Sequence, residues 1–479
     1  MTERPAKLTW TAIGLVAVAI LLFSVRSPIG RSGDTIAMIA GTHLGLSCLG
    51  DGTLTNCGIH VAPYPLLQYL PTTLFIGLGL GDNDIERALG LLNVAAFVGM
   101  LLASYTTLAR LARPALGVAL LVVLVASPLP WYAWTTFGES LGAFACVAFV
   151  AAALWRAPAP VLALTLALAG VSKETALPFL ALMGIGALLW SPIEGRGIDR
   201  RHWIGLGIGA VLALALTGAF NELRFGQLTN AVYSESYERT PTTGLKARFV
   251  LSLWLAPNAG LVTFWPLAGA ALLAMVAVAA ARVRRWREHL RPVGAGAVVL
   301  VCALAMTYGY ANWYAPFGWI AWGPRLMLLL TPALLLFGAA TLAPELQAVA
   351  SAAGRWATAL KVALAALAVA TVLSQVGVLW DNQAQAGLFD PDSACPTSVS
   401  VVDNPGGYYH CIIHWAWYKH WVLPDAVSGV TTSFSSVLMT LAWLAALAAL
   451  LVAVVLALRD RAGPRASAPV VPTPAPPGR

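Results

Sequence analysis

A few short polar stretches, each set between long apolar runs, carry the groups that could do chemistry. Arg31-Ser32-Gly33-Asp34-Thr35 places a carboxylate beside a glycine directly after the first apolar run. An acid anchored that close to a membrane suits general-base work on a lipid-linked substrate, and the plain alternative is an ordinary loop acid. His60 follows in the same segment and is the fallback base and a candidate substrate contact, because an unperturbed imidazole titrates near about pH 6.5. An aromatic turn, Trp131-Tyr132-Ala133-Trp134-Thr135-Thr136-Phe137-Gly138, ends at Glu139, and Ser172-Lys173-Glu174-Thr175 is wedged between two apolar runs. Charge in such a place is costly, so Lys173 and Glu174 need either each other or a substrate. Phe220-Asn221-Glu222-Leu223-Arg224-Phe225-Gly226 precedes Lys246-Ala247-Arg248, and Trp322-Gly323-Pro324-Arg325 leads into another apolar run. Placed at a helix N-terminus, Arg325 could hold a lipid phosphate, or could simply snorkel to the interface. No Asp-x-Asp and no Cys-x-x-Cys or His/Cys spacing marks a metal site, so neither metal nor cofactor is expected.

The elements that must position these groups are membrane helices. Of the 479 residues, 59% are hydrophobic and 10% charged, against about 45–50% and about 25% in soluble domains. That excludes a soluble enzyme, a disordered chain and a DNA-binding domain. Apolar runs of spanning length recur near 9–26, 88–108, 114–130, 140–155, 157–172, 175–190, 203–220, 262–281, 293–309, 325–343, 358–378 and 434–458. The expected fold class is therefore an all-α polytopic membrane protein with about twelve transmembrane helices. The first run follows Arg4 and Lys7 but lacks a small-x-small cleavage site, and reads as an uncleaved span.

Leu66–Leu80 is apolar but short, and holds Gln68, Pro71, Thr72 and Thr73. Charge decides its role. If it does not span and the N-terminus is cytoplasmic, 19 of the 29 Lys and Arg face the cytoplasm, including Arg282, Arg284, Arg285, Arg287 and Arg291. If it spans, only 10 do, against the positive-inside rule. Leu66–Leu80 is thus expected to lie along the outer surface or to dip in and return, and both termini are expected in the cytoplasm. Fifteen of the 21 acids then fall outside, so the net charge of +8 belongs to a cytoplasmic rim facing anionic lipid, and nucleic acid is not implied. Residues 1–458 read as one transmembrane unit with long outer segments at 27–87, 221–261 and 379–433, and 459–479 as a disordered Pro/Ala-rich cytoplasmic tail. Four cysteines fall in outer segments as two local pairs, Cys48 with Cys57 and Cys395 with Cys411, and disulfides are expected there.

In their order and in the side of the membrane they share, these stretches resemble the GT-C superfamily of integral-membrane glycosyltransferases. That superfamily includes protein O-mannosyltransferases, aminoarabinose transferases and mycobacterial arabinosyl- and mannosyltransferases. The matching residues are Gly33-Asp34, Pro63-Tyr64-Pro65, Glu86-Arg87-Ala88-Leu89, Asn221 with Arg224-Phe225-Gly226, and Trp322-Gly323-Pro324-Arg325. The likeness covers roughly residues 10–345; segment 379–433 lies outside it. Gly-Asp stands where the family has two adjacent acids, so no role needing both is carried over.

The resemblance implies a sugar donor on a polyprenyl phosphate, used from the outer face of a bacterial plasma membrane, and an acceptor hydroxyl on an envelope glycan, glycolipid or protein. It implies Asp34 as the base. It implies Arg325 as the holder of the leaving phosphate, with Lys173, Arg248 or Arg224, and His60, Glu139, Glu174 and Trp322 as further substrate contacts. The rival readings are a transporter or flippase of a lipid-linked glycan, and a non-enzymatic lipid-binding subunit.

Overall fold

Long runs of Leu, Ala and Val in a chain bound for lipid leave the backbone one economical solution, the helix, which satisfies every N–H and C=O internally. The computed structural model describes residues 3–26, 33–52, 65–133, 135–193, 197–230, 240–313, 315–318, 323–351, 355–380, 404–418 and 434–462. Among these, the regular elements are helices. The first ten are α1 (Glu3–Arg26), α2 (Gly33–Gly50), α3 (Leu66–Gly77), α4 (Asp82–Arg110), α5 (Pro114–Val125), α6 (Leu129–Ala133), α7 (Glu139–Leu154), α8 (Ala159–Gly170), α9 (Leu177–Trp190) and α10 (Arg200–Phe225). The others are α11 (Thr243–Leu255), α12 (Leu261–Phe264), α13 (Pro266–Ala280), α14 (Leu290–Ala311), α15 (Thr331–Thr341), α16 (Ala343–Ser351), α17 (Arg355–Trp380), α18 (Pro405–Trp417) and α19 (Phe434–Ala462). Proline in the first turn opens α5, α8, α9, α13 and α15, where its missing N–H is no loss.

Each expected span coincides with a helix. Asp82–Arg110, Arg200–Phe225, Leu290–Ala311 and Thr440–Ala457 are long and apolar enough to cross a bilayer alone. α15 and α16 meet at 80° and make a fifth span if read as one broken helix. Several others are shorter: twelve residues of α5 rise about 18 Å, against a hydrocarbon core of about 30 Å. Protein rather than lipid surrounds the central ones. All of α15 is buried, and so is most of α7.

Small residues set the packing that matters for the site. A Cβ on Gly205 would lie 2.7 Å from the Ala159 carbonyl oxygen, and one on Gly209 2.8 Å from that of Ala163. Glycines four apart on α10 thus lay its backbone directly on α8, the small-residue seam of membrane helix pairs. Asp199 caps the start of α10 by accepting from the Arg201 and His202 N–H groups, and Gly226 closes its end at φ +67°. The seam fixes how far α10 reaches past the end of α8.

α3 is twelve residues long and carries Pro71 inside it. It buries Leu67, Gln68, Tyr69 and Thr72, while Leu70, Leu74 and Leu78 run along its other side, 48–68% exposed. That is the pattern of an interfacial helix, one face on protein and an apolar strip toward lipid. α3 packs against α2, α4 and α10, so the described part of the first loop is a pair of helices laid on the bundle. α1 lies along α19, joining the two ends of the chain.

Cys48 and Cys411 are both disulfide-bonded; Cys57 and Cys395, with which the sequence pairs them, lie outside the described residues. Cys146 and Cys302 are free and buried. The last helix runs to Ala462, and 463–479 lie outside the described residues.

Candidate functional site

Polar contacts gather at two ends of the same helices. One end holds the basic residues: Arg110 over the Trp155 ring, Arg113 on Gln347, Arg156 on the Leu188 carbonyl and Arg291 on Glu345. The other end, at the start of α7 and the finish of α10, holds five of the charged residues singled out by sequence.

The turn before α7 is fixed first. Asn93, a buried amide in the middle of apolar α4, donates from Nδ2 to the carbonyls of Thr135 (2.8 Å) and Phe137 (2.6 Å). Two bonds from one amide leave that turn little freedom. The Thr35 hydroxyl then pairs with that of Thr136 at 2.6 Å, tying the first turn of α2 to the same place. Asp34 is the residue before Thr35, in that first turn, so its backbone is held within a few residues of Glu139.

Glu139 opens α7 and pairs with Arg325, Nε to Oε1 at 2.5 Å, with both side chains about nine-tenths buried. The Arg325 guanidinium lies 3.9 Å from the Phe137 ring centroid, a cation–π contact strengthened by burial. Gly318, at φ +80°, brings its backbone onto the Arg325 side chain; a Cβ there would sit 3.1 Å from Cδ. The Oε2 oxygen of Glu139 is buried without a hydrogen-bond partner. The sequence places Arg325 at a helix N-terminus, and the structure corrects this. Arg325 starts a 3-10 turn, Arg325–Leu328, and the α-helix begins at Thr331 with Pro332 in its first turn. What Arg325 can offer an anion is therefore its own charge and fork rather than a helix dipole.

Lys173 and Glu174 do not pair with each other. Glu174 accepts from Arg224 Nη2 at 3.1 Å and from Asn230 Nδ2 at 3.2 Å. Arg224, fully buried, also donates to Asn221 Oδ1 at 2.6 Å and lies over the rings of Phe220 (4.2 Å) and Phe225 (4.6 Å). The α8–α10 seam makes this possible, because it carries Arg224 to the turn that follows α8. Lys173 sits over the Tyr310 ring with Nζ 4.8 Å from the centroid. Burial pushes its ammonium down to about 8; Glu139 and Glu174 oppose that shift and Arg325 adds to it. Lys173 therefore lies between the two ion pairs and belongs to neither.

Five of the expected residues, Glu139, Lys173, Glu174, Arg224 and Arg325, thus form one cluster. With Lys173 protonated it holds three positive and two negative charges. Arg248 is exposed on α11 and joins none of them by a side-chain bond among the described residues. His60 and Trp322 lie outside the described residues. Sequence reading passed over Thr35, Asn93, Thr136, Asn230 and Tyr310. Of these only Asn93 left a signal, a lone amide in a long apolar helix. Among the described residues no group of three or more His, Cys, Asp or Glu could hold a metal ion.

No protein-family model matches the chain, and no curated protein matches it. Among solved structures it is similar to crystal structures of ArnT from Cupriavidus metallidurans. One, in the apo state, is 15% identical with a TM-score of 0.42, over 88% of this chain and 78% of that one. The other, bound to undecaprenyl phosphate, is 13% identical with a TM-score of 0.41, over 88% and 77%. By its own helices, the chain is an all-α polytopic membrane protein in which, among the described residues, three basic and two acidic side chains cluster where α3 meets the bundle.

Proposed function

We propose that the protein transfers a sugar from a polyprenyl-phosphate-linked donor to a hydroxyl of an envelope glycan, glycolipid or protein, at the extracytoplasmic face of a bacterial plasma membrane. The observation that carries this reading is the buried excess of positive charge. Among the described residues Arg325 pairs with Glu139 and Arg224 with Glu174, which leaves Lys173 over the Tyr310 ring with its ammonium depressed by burial. An anion relieves that cost, and a lipid phosphate brings one to this depth. The exposed leucine strip of α3 suits the neighbouring lipid chain. The order of motifs along the sequence points the same way.

In this reading Arg325 and Lys173 hold the donor phosphate, Glu139 orients Arg325, and Arg224 and Glu174 brace the wall behind Lys173. The acceptor oxygen attacks the anomeric carbon as the bond from that carbon to the phosphate oxygen breaks. The phosphate leaves already charged, so its stabilisation by cations replaces a general acid. The acceptor loses its proton to a base, and Asp34 fills that role, with its backbone anchored through Thr35 to the turn before Glu139.

Asp34→Asn keeps the size of the side chain but cannot take the proton. It should insert and bind donor lipid normally and transfer sugar at least about 100-fold more slowly, within the range of about 10²–10⁴ for loss of a general base. Near-normal turnover in Asp34→Asn, with activity abolished by His60→Ala or Asp51→Asn, would move the base elsewhere.

A further inference from the structure

Gln68 is not used by the reading above, yet it is the most conspicuous uncharged group at the site. It is 8% exposed, and its Oε1 is buried with no hydrogen-bond partner. Its place is set from two sides. The Leu67 N–H donates to the Val171 carbonyl at 3.2 Å, which ties the start of α3 to the turn carrying Lys173. The Gln68 amide itself lies against Gly138, the residue before Glu139, so closely that a Cβ on Gly138 would land on the amide. Gly138 has φ −86°, a value any residue adopts, so its glycine is needed for space and not for backbone conformation. Next to this contact sits another buried acceptor without a partner, Oε2 of Glu139.

These two oxygens share one property: they accept and do not donate. An ionised phosphate is also an acceptor and cannot satisfy them. Each left unpaired costs the desolvation of a buried polar atom, so the pair calls for a ligand that brings O–H groups. The site then divides in two. Arg325 and Lys173 supply charge for a phosphate, and Gln68 and Glu139 Oε2 supply acceptors for hydroxyls.

We propose that Gln68, seated by Gly138 and acting with Glu139 Oε2, binds the hydroxyls of the donor's sugar ring and is a specificity-determining residue for that sugar. This deepens the reading of the cluster as a site for a polyprenyl-phosphate sugar and rests on it. Gln68 accepts from the ring while the cations hold the phosphate one bond away. The sugar is thereby oriented by contacts that the bare lipid phosphate lacks.

The test compares two probes, radiolabelled polyprenyl phosphate and its glycosylated form, on the full-length protein in detergent. Gln68→Leu keeps the bulk of the side chain and removes its acceptor. It should weaken the sugar-bearing lipid about 10-fold, the size of one hydrogen bond to a buried partner, and leave the bare lipid unchanged. Gly138→Ala gives an independent variant, because its methyl displaces the amide from the other side, and it should show the same selective loss. Equal weakening of both lipids, or no weakening of either, in a folded variant would overturn the proposal. Failure of the wild-type protein to bind either lipid would overturn the phosphate-site reading itself, and this proposal with it.

Discussion

In the proposed site Arg325 and Lys173 would meet the same phosphate in different ways. Arg325 is held by Glu139 and Phe137 before any ligand arrives, so little of its freedom is left to lose on binding. Arg325→Ala should weaken binding of polyprenyl phosphate and lower the melting temperature, since removing one partner of a buried pair costs about 3–5 kcal/mol. Arg325→Lys should recover part of the binding, keeping charge but losing the fork. Lipid binding by Arg325→Ala equal to wild type would contradict the assignment. Lys173 adds a pH dependence. Its ammonium, pushed down to about 8, is charged below that pH and neutral above it. The charged form is the one that attracts phosphate, and bound phosphate favours it further. Affinity for the lipid should therefore fall as pH rises through about 8, and Lys173→Met should remove the inflection. A flat profile in the wild-type protein would take Lys173 out of the phosphate contact. The charged residues of this site were legible in the sequence because charge in an apolar run demands a partner. Their partners were not. The sequence leaves open whether adjacent Lys173 and Glu174 meet each other or a substrate, and Glu174 instead binds Arg224, fifty residues on. Gln68, Thr35 and Thr136 are ordinary polar residues until the fold sets them against one turn.

At the scale of elements, the seam between α8 and α10 places the site. Gly209→Leu would force a branched side chain into a space where a Cβ alone would lie 2.8 Å from the Ala163 carbonyl oxygen. Overpacking of this kind costs about 1–3 kcal/mol, and here it also pulls Arg224 from Glu174. Reduced melting temperature and weaker lipid binding should appear together. Gly207→Leu is the matched control, since a Cβ there meets nothing within 4 Å; it should melt and bind as wild type. Equal behaviour of the two variants would contradict the seam. In the connecting segments, disulfides closing 48–57 and 395–411 are each expected to add up to about 3 kcal/mol on the chain-entropy model. Mass spectrometry that found all four cysteines as free thiols in membranes would remove them. Helix existence was legible from apolar runs, and charge alone gave the expectation that α3 does not span. What the pattern could not give was the 3-10 entry at Arg325 or the break between α15 and α16, because both are set by packing inside an evenly apolar stretch.

At the scale of the molecule, the charged residues gather at the two ends of one bundle, with Arg110, Arg113, Arg156 and Arg291 at one and the site at the other. The cluster of Arg282, Arg284, Arg285, Arg287 and Arg291 belongs to the end away from the site. By the positive-inside rule we expect the site outside and both termini in the cytoplasm. An alkaline-phosphatase fusion at Leu290 should be inactive, and an active one would reverse the orientation. The most direct test of the account is the transfer reaction itself. Purified full-length protein is reconstituted in liposomes with radiolabelled polyprenyl-phosphate sugar and a mixture of envelope glycans, glycolipids and proteins. The label should move covalently to an acceptor and leave polyprenyl phosphate behind, with Arg325→Ala and Asp34→Asn both deficient. Passage of the intact donor across the bilayer with no covalent product would contradict the account and make the protein a transporter of the lipid-linked glycan.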